Sequence, residues 1–141
     1  MPKARVNGIN INYKVQGKGD PLVLIAGLAS DQISWIFQTG AFRKHYRVIT
    51  FDNRGIGKTD KPSGDYSGKM MADDTIGLMD HLGIKKAHIL GISTGGIIAQ
   101  QIAINYPERI NKLVLGCTFA TNDDSSGVTA ELINAVKTRE R

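Results

Sequence analysis

Ala87-His88-Ile89-Leu90-Gly91-Ile92-Ser93-Thr94-Gly95-Gly96 is the stretch on which the fold turns. An apolar run of strand type enters a glycine-rich turn, and a helical pattern from Ile97 to Tyr106 leaves it. The sequence therefore predicts strand, sharp turn and helix, with Ser93 at the apex. Gly91 and Gly95 lie two residues either side of Ser93, where so tight a turn leaves no room for side chains. A serine hydroxyl is a usable nucleophile only when it is exposed, near a base, and beside donors for the oxyanion it creates. The spacing meets the first and third needs. The turn holds the serine in strained backbone, and the following helix aims free N–H groups and its positive end at the same point. The plainer alternative is a glycine-rich turn that merely contains a serine; the strand-turn-helix context favours the nucleophile.

The rest of the chain alternates strand and helix around this turn. Ala4 to Val6 and Ile9 to Val15 have β patterning across Asn7-Gly8, a dipeptide suited to the positive-φ pair of a two-residue hairpin turn. Leu22 to Ala26 is a continuous apolar run of the kind buried on both faces of a parallel sheet. It ends at Gly27-Leu28-Ala29-Ser30, after which Ser30 or Asp31 can cap a short helix through Trp35 and Phe37. Arg47 to Phe51 is the next strand, with Asp52-Asn53-Arg54-Gly55-Ile56-Gly57 at its carboxyl end. A helix from about Lys69 to Leu82 groups Met71, Thr75, Leu78, Met79 and Leu82 on one face and stops at Gly83. The helix after the serine buries Ile98, Ala99, Ile102, Ala103 and Tyr106, and Lys112 to Cys117 is a sixth strand. Val128, Leu132, Ile133 and Val136 stand at helical spacing in a last helix. The expected fold class is α/β: a mostly parallel sheet of about six strands, opened by an antiparallel hairpin, with helices on both faces and right-handed crossovers.

Composition narrows the function classes. The 141 residues form at most one domain, with 41% hydrophobic and 22% charged residues, as in an ordinary globular protein. The formal charge of +5 is scattered, with no basic run longer than a pair, so nucleic acid is not an expected partner. No stretch approaches a membrane span and the N-terminus has no apolar leader, so no membrane is expected and a cytoplasmic location is. Cys117 cannot form an internal disulfide and reads as a small buried hydrophobe. Gly57-Lys58-Thr59 resembles the end of a phosphate loop, but the first glycine of that pattern would fall on Asp52. The dinucleotide fingerprint fails as well, because the positions it needs after Gly91 are Ser93 and Gly96. His45, His81 and His88 are far apart and not grouped with cysteines or carboxylates, so no metal site is expected. Asp52 and Arg54 stand at the strand edge where open α/β sheets bind ligands. An ion pair, or hydrogen bonds bracing the glycine-rich loop, is the better reading of both.

Leu22 to Ser30, Asp52 to Gly57, Gly91 to Gly96 and Tyr106-Pro107-Glu108-Arg109 through Leu113-Val114-Leu115 together resemble the α/β-hydrolase fold superfamily, and most closely its carboxylesterase, enol-lactonase and C–C hydrolase branch. The resemblance implies that Ser93 is the nucleophile, that the backbone N–H groups of Leu28 and Thr94 form the oxyanion hole, that Gly27, Gly91 and Gly95 shape the loop and elbow, and that no cofactor is needed. The substrate would be a small ester, lactone or related carbonyl compound. The family usually has His-Gly where this chain has Ala26-Gly27, and His where it has Ile92. It also places the catalytic acid and then a histidine after the nucleophile. No histidine follows Ser93, and Asp123 and Asp124 in their serine-rich turn read as turn and cap residues. The expectation is therefore residues 1–121 as the first part of the core domain and residues 122–141 as the start of a cap, with acid and base outside this sequence. The competing expectation is a short binding or assembly protein without chemistry, able to self-associate through the open edge of the sixth strand. Among enzymes, a cofactor-free haloperoxidase or perhydrolase uses the same serine.

Overall fold

A computed structural model describes residues 2–120 of the chain. The last helix expected around Val128 to Val136, Asp123, Asp124 and the proposed cap start at 122–141 lie outside the described residues.

Asn7 and Gly8 take positive φ, 48° and 80°, and close a hairpin between β1 (Lys3–Val6) and β2 (Ile9–Gln16) in the register Val6 to Ile9. These are the dihedrals that match the twist of paired strands. Next come β3 (Asp20–Ile25), a 3-10 turn (Gln32–Trp35) running into helix α1 (Ile36–Phe42), and β4 (Tyr46–Phe51). Helix α2 (Gly68–His81), β5 (Ala87–Ile92), helix α3 (Thr94–Asn105), a second 3-10 turn (Pro107–Arg109) and β6 (Ile110–Gly116) complete the order. The six strands form one sheet in the order β1-β2-β4-β3-β5-β6, and β4, β3, β5 and β6 pair in parallel. The fold class is the expected one.

Alternation along β3 divides the core. Val23 and Ile25 face one layer with Ile89 of β5, Met71 and Leu78 of α2, and Ile98 and Ile102 of α3. Leu22, Leu24 and Ala26 face the other with Trp35 and Val48. Helices thus lie on both faces, and β3 is buried throughout its apolar run because it sits between β4 and β5. Of the two capping candidates, Asp31 is used: its Oδ1 accepts from Ile33 N at 3.0 Å. Ser67 caps α2 by accepting from Met70 N at 3.1 Å. Gly83, at φ 69°, closes α2 with Ile84 N donating to Met79 O at 2.9 Å, a Schellman arrangement.

Beyond β5 the sheet is thinly covered. Among the described residues no strand pairs with the outer edge of β6, and Leu113, Val114 and Leu115 are 37%, 54% and 41% exposed. Cys117 does not bear out its reading as a buried hydrophobe: it is exposed, with φ 49°. The strand ends one residue before it, and the chain turns out of the sheet there.

Asp73 ties α2 to the end of α3, accepting from Lys69 Nζ at 2.7 Å and from Tyr106 Oη at 2.6 Å. Partial burial acts to raise the Asp73 carboxyl, but the hydrogen bonds from Lys69 and Tyr106 outweigh it and hold the group below its ordinary value. The same carboxylate pushes the Tyr106 phenol up. A carboxyl lowered by folding stabilises above its unfolded value, and that contribution is lost as pH falls through the folded value. Asp73→Asn is therefore expected to be less stable than wild type at pH 6. The gap between their urea midpoints should close on titration to below about pH 4.

Candidate active site

The backbone at Ser93 is as strained as its turn requires, with φ 56° and ψ −120°. Three hydrogen bonds hold it: Ser93 N donates to Gly116 O at 2.9 Å, pinning the turn to β6, and Ser93 O accepts from Gly96 N at 2.9 Å and Ile97 N at 3.3 Å to start α3. The hydroxyl does not cap α3, and the residue is exposed, so Oγ is free for other work. The glycines follow from close approach. A Cβ on Gly91 would run into the carbonyl of Gly95, and one on Gly95 into the carbonyl oxygens of Ile25 and Ala26. A Cβ on Gly96 would strike the side chain of Thr118. The elbow therefore sits directly on the end of β3.

The loop leaving β3 passes beside the serine. A Cβ on Gly27 would lie 3.3 Å from Ser93 Cβ and 3.9 Å from Ser93 Oγ, so only glycine lets the loop come so near at no cost. Ala29 holds a positive φ of 59° here, and Ser30 N closes the turn on Gly27 O at 3.2 Å. Among the described residues, neither Leu28 N nor Thr94 N donates to a protein acceptor. Gly27, Leu28, Ser30, Trp35, Gln38 and Ser93 contribute to the wall of a cavity of about 340 Å³ that opens at the serine.

Asp52 and Asn53 anchor both ends of this loop. Asp52 is 2% exposed; its Oδ1 accepts from Gln32 N at 2.8 Å, and its Oδ2 from Asn12 Nδ2 and Lys58 N at 2.9 Å each. Asn53 Nδ2 donates to Ala26 O at 3.3 Å. Asp52 thus makes hydrogen bonds on two sides, to Lys58 N in its own glycine-rich loop and to Gln32 N just past 27–31. Asp52 and Arg54 do not pair with each other. Arg54 turns away to a bidentate contact with Asp74 of α2, Nε and Nη2 each at 2.8 Å, and that hydrogen-bonded carboxylate raises the guanidinium pKa further. Sequence reasoning missed Asn12, Gln32 and Asn53 because each acts across the sheet, through a contact 20 to 40 residues distant in the chain. Asn53, next to Asp52 at a strand end, was the one with a local signal.

The α/β hydrolase fold family model matches residues 20–138. The chain belongs to the α/β hydrolase fold family. Among curated α/β hydrolase relatives, the Mycobacterium tuberculosis protein BpoC, provisionally assigned as a non-heme bromoperoxidase, is 41% identical over 78% of this chain and 42% of its own length. The 3-oxoadipate enol-lactonase 2 of Acinetobacter baylyi is 36% identical over 79% of this chain and 43% of its own. Among solved structures, a meta-cleavage product hydrolase from Pseudomonas fluorescens superposes with a TM-score of 0.82 at 38% identity, covering 88% of this chain and 47% of that one. The chain thus spans less than half the length of these relatives.

Within this α/β hydrolase fold the three histidines stand away from Ser93. His88 lies five residues earlier, roughly 16 Å along the same strand, with Nε2 3.8 Å from the Asp20 carboxylate at the opposite edge of the sheet. His45 precedes β4 at that same edge, where its carbonyl would be met by a Cβ on Gly19. His81 ends α2 and packs edge-on against Tyr13 of β2, three strands from β5 and so about 14 Å to the side. None is placed to take a proton from Ser93. Among the described residues no group of three or more histidines, cysteines and carboxylates could hold a metal ion, and no helix is long and apolar enough to cross a membrane.

Proposed function

We propose that Ser93 is the nucleophile of a hydrolase acting on a small ester, lactone or related carbonyl substrate. The carrying observation is the exposed, unengaged Ser93 hydroxyl at φ 56°, with the Thr94 N–H next in the chain and Leu28 on the wall of the same cavity, neither N–H having an acceptor among the described residues. Ser93 Oγ adds to the carbonyl carbon, and the C=O pair moves onto oxygen, where the two N–H groups and the positive end of α3 hold the charge. Collapse expels the leaving group with a proton and leaves an acyl-serine, which water then cleaves to a carboxylic acid. The proton of Ser93 needs a base. Since no histidine here reaches it, the acid and histidine of the triad are assigned to residues beyond this sequence, as the greater length of the relatives supports. The likeness to BpoC favours a second reading, in which hydrogen peroxide replaces water at the acyl-serine and yields a peracid. The uncovered β6 favours a third, self-association of the chain through that strand.

A fluorophosphonate followed by peptide mass mapping tests the assignment. Labelling at Ser93 is expected in the protein at its natural length, and next to none in the 141-residue chain alone. Labelling at another residue of the longer protein would sink the nucleophile. Rapid labelling of Ser93 in the 141-residue chain would show that its base is already present.

A further inference from the structure

The segment 32–43 has two working faces. Ser34, Trp35 and Gln38 look onto the Ser93 cavity, whereas Ile33, Ile36, Gly40 and Arg43, three and four residues apart, line a separate cavity of about 330 Å³ against Lys14 of β2 and Thr50 of β4. That volume is at the small end of the roughly 300–1,000 Å³ typical of ligand pockets. Its chemistry is one-sided. The side chains of Lys14 and Arg43 make no ion pair or hydrogen bond among the described residues, and no carboxylate lines the cavity. Thr39 is 7% exposed, and its hydroxyl likewise has no partner among the described residues. Thr50 Oγ1 is 3.5 Å from Gln32 Oε1, which leaves the Gln32 amide NH2 free to donate. Beside these donors stand two large apolar side chains in water, Ile33 at 60% and Ile36 at 63% exposure.

Gly40 is the second, independent pointer. A glycine inside a helix costs roughly 1 kcal/mol relative to alanine, and packing gives no reason for it: a Cβ there would meet nothing within 4 Å. What the missing side chain does is keep the cavity open. We propose that this cavity binds a small amphipathic carboxylate, its charged end between Lys14 and Arg43 and its alkyl chain along Ile33, Ile36 and Gly40. Charge complementarity selects the anion, and the two isoleucines select the chain.

Sodium hexanoate, titrated into the protein at its natural length and followed by amide NMR shifts, tests this. Saturable shifts are expected at Lys14, Gly40, Arg43 and Thr50. Lys14→Gln with Arg43→Gln is expected to weaken hexanoate about tenfold, the sum of two partly screened charge contacts. Hexan-1-ol should bind wild type correspondingly more weakly, and Gly40→Leu should abolish binding while thermal unfolding shows an intact fold. Ser93→Ala should leave binding unchanged. Equal binding of hexan-1-ol, indifference to Gly40→Leu, shifts confined to the Ser93 cavity, or no saturation by tens of millimolar would each overturn the site.

Discussion

If Ser93 acts as proposed, Ser93→Ala is expected to lower kcat for a small ester by on the order of 10⁶ in a chain that carries a whole triad, with little change in stability. The size follows from the proposed role. Removing the nucleophile of a serine triad costs about as much as removing the whole triad, and the remaining rate comes from the oxyanion donors. Stability is spared because the hydroxyl neither caps α3 nor bonds within the fold, and alanine accepts the same backbone with strain no greater than serine's. The comparison is made by steady-state kinetics on p-nitrophenyl acetate with the unfolding midpoint as control. A loss of less than about tenfold with the fold intact would remove Ser93 from the chemistry.

Arg54→Leu is expected to destabilise the fold by about 3–5 kcal/mol. The Arg54 and Asp74 side chains are 10% and 3% exposed, and the contact is bidentate. Removing the cation leaves a buried carboxylate whose remaining partner is Asn7 Nδ2 at 3.1 Å. Because a well-packed apolar pair can replace a buried ion pair at little cost, Arg54→Leu with Asp74→Leu should recover most of the loss. Urea unfolding of the two single variants and the double variant measures both numbers. Single losses under about 1 kcal/mol would mean that water reaches the pair and screens it.

This pair also shows how Arg54 was half legible. Its place at a strand end was clear from Arg47 to Phe51 preceding it, and a bracing role was the favoured reading. Its partner was not, because Asp74 lies 20 residues on, inside an amphipathic helix, and a lone aspartate there has the same sequence signature as one in water. Cys117 went the other way. Its apolar neighbours Leu113 to Leu115 promised burial, but β6 is a sheet edge among the described residues, and apolar neighbours bury nothing without a layer over them.

What the sequence by itself determined was much of what contacts a few residues long govern. The elbow at Gly91 to Gly96, the Asn7-Gly8 hairpin, the α2 stop at Gly83 and the two-faced burial of Leu22 to Ala26 follow from backbone sterics and local periodicity, which are written in order along the chain. Only the tertiary structure decided which distant groups meet. The bond from Gln32 N to Asp52, the approach of Gly27 to Ser93 and the removal of all three histidines from the serine depend on strand order and register, set by the packing of the whole sheet.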